Sequence, residues 1–548
     1  MSSNKKLVYG IDLGTTYSAI SYINEYGKAE IIKNSDGGLT TPSVVYFETA
    51  TNYAVGKTAK EAGNTSKEDA ERVVDFVKRQ MSNTSYSFEA FGKQYDPVAV
   101  SALILKQLVD DAKEVGGHDV KDVVITCPAY FGELERTRTR QAGEAIGLNV
   151  IEILDEPVAA ALSYGLEDAD TKGKNVIVYD LGGGTFDVTV INIGNDPDRD
   201  EIKVICTEGN HQLGGKDWDD RIVQYYLDQF EEKTGRDIRQ AAPAETHGTM
   251  YDLRIAAENN KQALTKRESV PQKVSFDGKD VKIDLTREQF EDMTSDLLDS
   301  TIRLTNRLLE IAKEKGITKI DSFLLVGGST KMPQVAKKIT EAYSTSLGVK
   351  PVSFDPDEAV AKGAAKDAQI AMIKNMEAQG KSDKEISIAT GITIDNVEKA
   401  KKTSTVKVAS KTYGIRLVRY HSDEQYIGNQ IFKQTPLPFE TRDNFSVAGT
   451  TDTLAMAIYA SDAEEKERET ELRVAALVIE KPFYLGRLVP GGTPISAIFR
   501  LSEEGKFTLH ASIDGCPPFE LEFVVEGALD AQEMDSLKKD LTKLNRNS

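Results

Sequence analysis

Apolar positions in this chain fall into short runs broken by turn residues, and one such arrangement occurs twice. The first copy is Val8-Tyr9-Gly10-Ile11-Asp12-Leu13-Gly14-Thr15-Thr16 and the second is Val178-Tyr179-Asp180-Leu181-Gly182-Gly183-Gly184-Thr185. In each, an apolar strand carries an aspartate at its end. It passes through Leu-Gly and small residues into a second strand, Ser18 to Ile23 in one copy and Asp187 to Ile193 in the other. The pattern predicts a β-hairpin with a glycine-bearing tip.

A second pair follows in the same order. Val123-Val124-Ile125-Thr126-Cys127-Pro128 predicts a strand feeding a helix around 134–146, and Phe323-Leu324-Leu325-Val326-Gly327-Gly328-Ser329 a strand feeding a helix around 333–343. Hairpin and then strand-to-helix, twice over, predicts two homologous α/β lobes. Two long repeats do not make a solenoid.

The α/β pattern fades after about Ala378, so the first domain is placed at 1–378. Residues 379–412 read as a polar linker; Ser382-Asp383-Lys384-Glu385 has the form of a capping box and predicts one short helix there. From Tyr413, short alternating runs such as Leu454 to Tyr459 and Phe507 to Ala511 predict a small β-sandwich over 413–527. Glu464 to Glu471 is a charge run, read as a solvated loop. Met534, Leu537, Leu541 and Leu544 stand at helical spacing, so one amphipathic helix is expected within 528–548.

The chain has 548 residues, 40% of them hydrophobic, enough for several cores. Its net charge of −19 argues against a general nucleic-acid binder, which needs a basic face to release counterions. Cys127, Cys206 and Cys516 are too widely spaced for a metal knuckle and read as reduced thiols. The start, Met1 to Gly10, has no apolar signal core, and no run of about 18 apolar residues occurs. A cytoplasmic protein without a membrane span is the expectation.

Glycine lets backbone N–H groups approach phosphate oxygens, and Mg²⁺ takes one or two carboxylates while keeping most of its waters. Each glycine-bearing tip here carries its own acid: Asp12 in one, Asp180 and Asp187 in the other. Two such hairpins facing each other would clamp a triphosphate. A single tip would be no more than a tight turn; two in register, with Val326-Gly327-Gly328-Ser329, point to a nucleotide. Gly56-Lys57-Thr58 imitates the end of a P-loop, but the glycine required five positions earlier is Thr51. Both hairpin loops lead into strands, which excludes a dinucleotide-binding βαβ unit.

The segments GIDLGTTYS (Gly10 to Ser18), TCPAYF (Thr126 to Phe131), LDEPVAAALSYGL (Leu154 to Leu166), YDLGGGTFDVTV (Tyr179 to Val190) and VGGSTKMP (Val326 to Pro333) resemble the DnaK-type, seventy-kilodalton heat-shock chaperones. The resemblance covers roughly Leu7 to Ala378. It implies the duplicated two-lobe, actin-like (ribonuclease H-like) ATPase fold, with ATP and Mg²⁺ as ligands. It implies phosphate contacts at Gly14, Thr15, Thr16, Tyr17, Gly182, Gly183, Gly184 and Thr185, with Gly214 and Gly215 nearby. Metal positioning falls to Asp12, Asp180 and Asp187, mainly through water. Catalysis, in active or vestigial form, falls to Lys78, Glu156, Asp180 and Thr185. Adenosine would lie against Gly327, Gly328, Ser329, Lys331 and Asp357, with Glu258, Lys261 and Thr265 opposite.

Three departures from the family pattern suggest a branch. Two arginines usually sandwich the adenine; Gln262 and Lys331 stand at the matching positions, and neither stacks as a planar guanidinium does. The family's leucine-bearing linker is replaced by Lys381 to Thr412, which has no leucine, so weak coupling between nucleotide and β-domain is expected. The family's helical lid is represented only by the short stretch from Ala528 to Leu544. These departures resemble the atypical fungal member that pairs with zuotin, a J-domain protein, in the ribosome-associated complex. That resemblance implies a regulatory subunit with little or no hydrolysis. It would associate with the ribosome in the cytoplasm and stimulate a second, conventional chaperone acting on nascent polypeptides. It implies neither membrane nor sequence-specific nucleic-acid binding. A conventional ATP-driven peptide chaperone and a small-molecule kinase of the same fold are the alternatives.

Among the remaining residues, Trp218 reads as a core anchor. His118, His211, His247, His421 and His510 show no metal or triad spacing. The stretch Glu133 to Arg140 reads as a solvated, salt-laced helix start, with a partner contact as the alternative.

Overall fold

The computed structural model describes residues 5–546 except 64, 166–172, 195–199, 407, 420, 421, 423, 465, 466, 503–505 and 523–527. Leu166, His421, Glu526 and part of the expected charged loop at 464–471 lie outside the described residues. The chain divides into two units, one of Met1–Ala129, Arg138–Ser404 and Leu529–Ser548, the other of Tyr130–Thr137 and Thr405–Ala528.

The first unit contains the duplication. One sheet runs Asn149–Asp155, Asp122–Cys127, Tyr9–Asp12, Tyr17–Ile23, Ala29–Ile31, with Thr41–Pro42 added to Tyr17–Ile23. The other runs Pro351–Ser353, Ser322–Val326, Asn175–Leu181, Phe186–Ile193, Asp200–Asn210, Thr403–Val406. In both, the first strand of the hairpin pairs antiparallel with the second and parallel with the strand of the strand-to-helix unit. Strands Asp122–Cys127, Asn175–Leu181 and Phe186–Ile193 are largely apolar and buried along nearly their whole length, as strands covered on both faces require. The helices after the strand-to-helix turns span Glu133–Ala145 and Pro333–Tyr343.

Helix Ala359–Ala378 lies on the first sheet at backbone contact. A Cβ on Gly10 would sit 2.0 Å from Ala365 N, and one on Gly363 would sit 1.7 Å from Ala159 O. Trp218 is fully buried in the core of the second lobe.

Residues 379–412, read as a polar linker with one short helix, hold two helices and a strand. The capping box at Ser382 and Glu385 does start a helix, Asp383–Thr390, and Thr393 caps a second one, Ile394–Lys402. Ile386, Ile392, Val397 and Ala400 are buried. Their spacing is diluted by lysine and acidic residues, which conceals the amphipathic pattern. Thr403–Val406 then joins the edge of the second sheet beside Asp200–Asn210. Helix Glu133–Ala145 also differs from expectation. Arg138 is 4% exposed, and its guanidinium donates to the Met81 carbonyl at 2.9 Å, so that part of the helix is not a solvated face.

The tail extends beyond the expected amphipathic helix. Asp530 caps helix Ala531–Leu541, on which Leu541 is buried; Leu544, just past its end, is buried too. The strand Asn545–Arg546 then pairs in parallel with Asn52–Val55.

The second unit is a β-sandwich. A five-stranded sheet runs Glu469–Glu471, Gln425–Ile431, Thr412–Val418, Thr451–Ser461, Ala476–Val489, and a four-stranded sheet Phe439–Ser446, Pro494–Leu501, Phe507–Ser512, Phe519–Glu522. Ile431, Ile458, Phe499, Phe507 and Leu521 fill the space between them.

Candidate functional site

Asp12 closes strand Tyr9–Asp12, and the Thr126 hydroxyl donates to its Oδ1 at 3.2 Å. Asp180 and Asp187 oppose each other across the second hairpin. Lys78, on the short turn Val77–Gln80, donates from Nζ to Glu156 Oε1 at 2.5 Å, with both side chains almost entirely buried. Burial, then the Glu156 carboxylate, pushes the Asp12 carboxyl up to about 7. The same two causes hold Asp180 and Asp187 well above the usual carboxylate range. Burial would lower the Lys78 ammonium, but the charges of Glu156 and Asp12 outweigh it and raise its pKa. The three aspartates therefore resist ionisation until positive charge arrives.

The two hairpin tips meet above these acids. A Cβ on Gly183 would lie 1.9 Å from Thr16 Oγ1, and one on Gly184 would lie 2.2 Å from Thr15 Cγ2. The glycines of the second tip thus make room for the threonines of the first. Gly182 N donates to Thr185 O at 3.0 Å, closing the second tip. Gly215 N donates to Gly182 O at 3.0 Å, and Lys216 N to Gly183 O at 2.8 Å. These bonds seat the start of helix Gly215–Thr234 against the tip. A Cβ on Gly327 would fall 2.3 Å from Asp180 Oδ1, so the strand-to-helix turn must be bare there.

The expected adenosine walls are partly assembled. Ser329 Oγ donates to Gly182 O at 2.8 Å. Lys261 donates to Gly215 O at 2.8 Å and to Asp219 Oδ2 at 2.7 Å. Tyr17 OH donates to Glu258 Oε1 at 2.8 Å, bringing the first tip to helix Pro243–Leu264. Gln262 donates to Glu258 at 3.4 Å, and Lys331 is paired with Asp357 beside Gly328. Thr265 turns back onto its own helix, donating to Gln262 O.

A model of the family described as Hsp70 protein matches residues 8–85 and 64–388. This chain belongs to the Hsp70 family. The "Chaperone protein DnaK" of Thermosipho melanesiensis is 40% identical over 390 residues, 70% of this chain and 62% of that protein. Its counterpart in Thermosipho africanus is 40% identical over 392 residues, with the same shares covered. That of Thermotoga maritima is 41% identical over 378 residues, 68% of this chain and 60% of that protein. The chain thus spans about three fifths of the length of the curated relatives it matches.

This Hsp70-family site uses residues the sequence did not single out. Arg79 donates from Nε to Gly184 O at 2.7 Å and from Nη2 to Asp217 Oδ2 at 2.8 Å, bridging the lobes. Asp217 in turn accepts from Gly214 N. Lys60 pairs with Glu258 and lies 3.4 Å from Tyr17 OH. Only adjacency to Lys78 could have flagged Arg79; nothing local marks Lys60, whose partner is 198 positions away.

The donor set also fits a hydrated divalent cation. Asp187 Oδ1 and Thr16 Oγ1 are buried without a hydrogen-bond partner, and such orphans are uncommon away from ligand sites. Among the described residues no three acidic, histidine or cysteine side chains converge as direct ligands. Mg²⁺ held through waters and phosphate oxygens suits that arrangement.

Proposed function

We propose that this chain binds magnesium-ATP between its hairpin tips. It then serves, with little hydrolysis of its own, as the regulatory subunit of a cytoplasmic, ribosome-associated pair with a zuotin-like J-domain protein. In that role it stimulates a second, conventional chaperone acting on nascent polypeptides, and its β-sandwich takes the partner's N-terminal segment. The observation that carries nucleotide binding is the fit of Thr15 and Thr16 into the spaces at Gly184 and Gly183, in hairpins that carry Asp12 and the buried Asp180 and Asp187. Bound magnesium-ATP supplies the cationic charge the acids lack and the anionic oxygens that backbone N–H groups seek. Asp12, Asp180 and Asp187 would hold the metal's waters, and Lys78, fixed by Glu156, would orient water at the terminal phosphate.

The altered adenine walls support the regulatory reading. Gln262 is engaged with Glu258 and Lys331 with Asp357, so neither offers a planar cation to the base. The retained Lys78–Glu156 pair favours the second reading, a conventional ATP-hydrolysing peptide chaperone. Single-turnover hydrolysis with and without a J-domain partner, beside ATP-dependent melting, separates them. A raised melting point without phosphate release supports the regulatory subunit; strong stimulated release selects the conventional chaperone. Asp12→Asn with Asp180→Asn should abolish the ATP-dependent shift, and an unchanged shift would place the nucleotide elsewhere.

A further inference from the structure

We infer that the segment Leu529–Arg546 is an intramolecular strap that fixes the position of Lys78 over Glu156 and so slows nucleotide release, the latter resting on the nucleotide site proposed above. Its two ends hold different parts of the first lobe. At one end Gln141 and Leu529 bond reciprocally: Gln141 Nε2 donates to Leu529 O at 2.6 Å and Leu529 N to Gln141 Oε1 at 3.0 Å. Gln141 lies one helical turn from Arg138, whose guanidinium holds the carbonyl of Met81, three residues beyond Lys78. At the other end Arg546, 12% exposed, pairs with Glu114 and lies 3.5 Å from the buried Asp111, both on helix Pro97–Gly116. Between these ends helix Ala531–Leu541 packs on the same long helix, which itself packs on the Val77–Gln80 turn.

A second route reaches the same turn. Asn545–Arg546 forms one edge of a four-stranded sheet, followed by Asn52–Val55, Val45–Phe47 and Val73–Val74. The far edge, Val73–Val74, ends four positions before Lys78. Lys60 and Tyr17, which grip Glu258 across the cleft, are also in the first lobe. A strap that stops this lobe from flexing holds both grips closed.

The test uses the full chain with Arg546→Ala, with Leu541→Asn, and with Lys543→Ala as control, since Lys543 pairs with exposed Asp540 among the described residues. Hydrogen exchange is read at 77–81 without nucleotide, and the release rate of a fluorescent ATP analogue is read separately. Arg546→Ala and Leu541→Asn should speed exchange at 77–81 and release about tenfold, a common size for coupling between sites; Lys543→Ala should change neither. The inference is overturned if exchange rises throughout 529–546 while 77–81 stays protected, or if release keeps its original rate once the strap is loose. Should the parent chain bind no analogue, the nucleotide reading fails, and the exchange at 77–81 still decides whether the strap positions Lys78. Should Leu541→Asn fail to fold, Arg546→Ala decides alone.

Discussion

The two hairpin tips share one topology and oppose each other in side chains. The first presents Thr15 and Thr16; the second presents Gly183 and Gly184 at the positions those threonines reach. Duplication alone would have set threonine against threonine and kept the tips apart. The second copy closes the gap by lacking atoms, leaving bare backbone toward the cleft, while its acids, Asp180 and Asp187, sit behind it as Asp12 does behind the first. The pair is therefore asymmetric by function: one tip offers hydroxyls, the other backbone.

The strongest way to break that asymmetry is Gly183→Val. Its side chain would occupy the Thr16 hydroxyl position, an overpacking expected to cost about 1–3 kcal/mol and to remove the ATP-dependent melting shift. Pairing it with Thr16→Gly should restore part of that shift; no restoration would mean the tips do not meet through these residues. Lys78→Met leaves the meeting of the tips alone but costs more stability, because it strands Glu156 in a buried site. Loss of one partner from a buried pair typically costs about 3–5 kcal/mol, and denaturant unfolding without nucleotide should show it. The smallest effect sharpens the comparison: Thr16→Ala removes a hydroxyl that has no partner. Stability without nucleotide should stay within about 0.5 kcal/mol, while ATP affinity falls several-fold, the worth of one hydrogen bond of about 1 kcal/mol, as isothermal titration would report.

Much of this was legible because the tips are local: strand, glycine and acid lie within nine residues, and their repetition exposed the two lobes. The same holds for Leu541, buried on the helix its spacing foretold, while Met534 and Leu537 stay half-buried and Leu544 is buried past the helix end. Residues brought together only by folding were not legible. Lys60 is an ordinary surface-type residue in sequence, and Arg79 acquires its role only when Gly184 and Asp217 arrive from the other lobe. The segment 379–412 misled for another reason: its charged residues outnumber its buried apolar ones, so an average over the stretch reports polarity while the helices report packing.

The seam where Gly10 and Gly363 meet Ala365 and Ala159 has a consequence for what this chain can become. With main chain touching main chain there, inheritance at Gly10 and Gly363 has one letter, glycine. Loops around the cleft can drift to new partners and new rates. The axis on which they are mounted cannot, and in a saturation library these positions should tolerate the fewest codons.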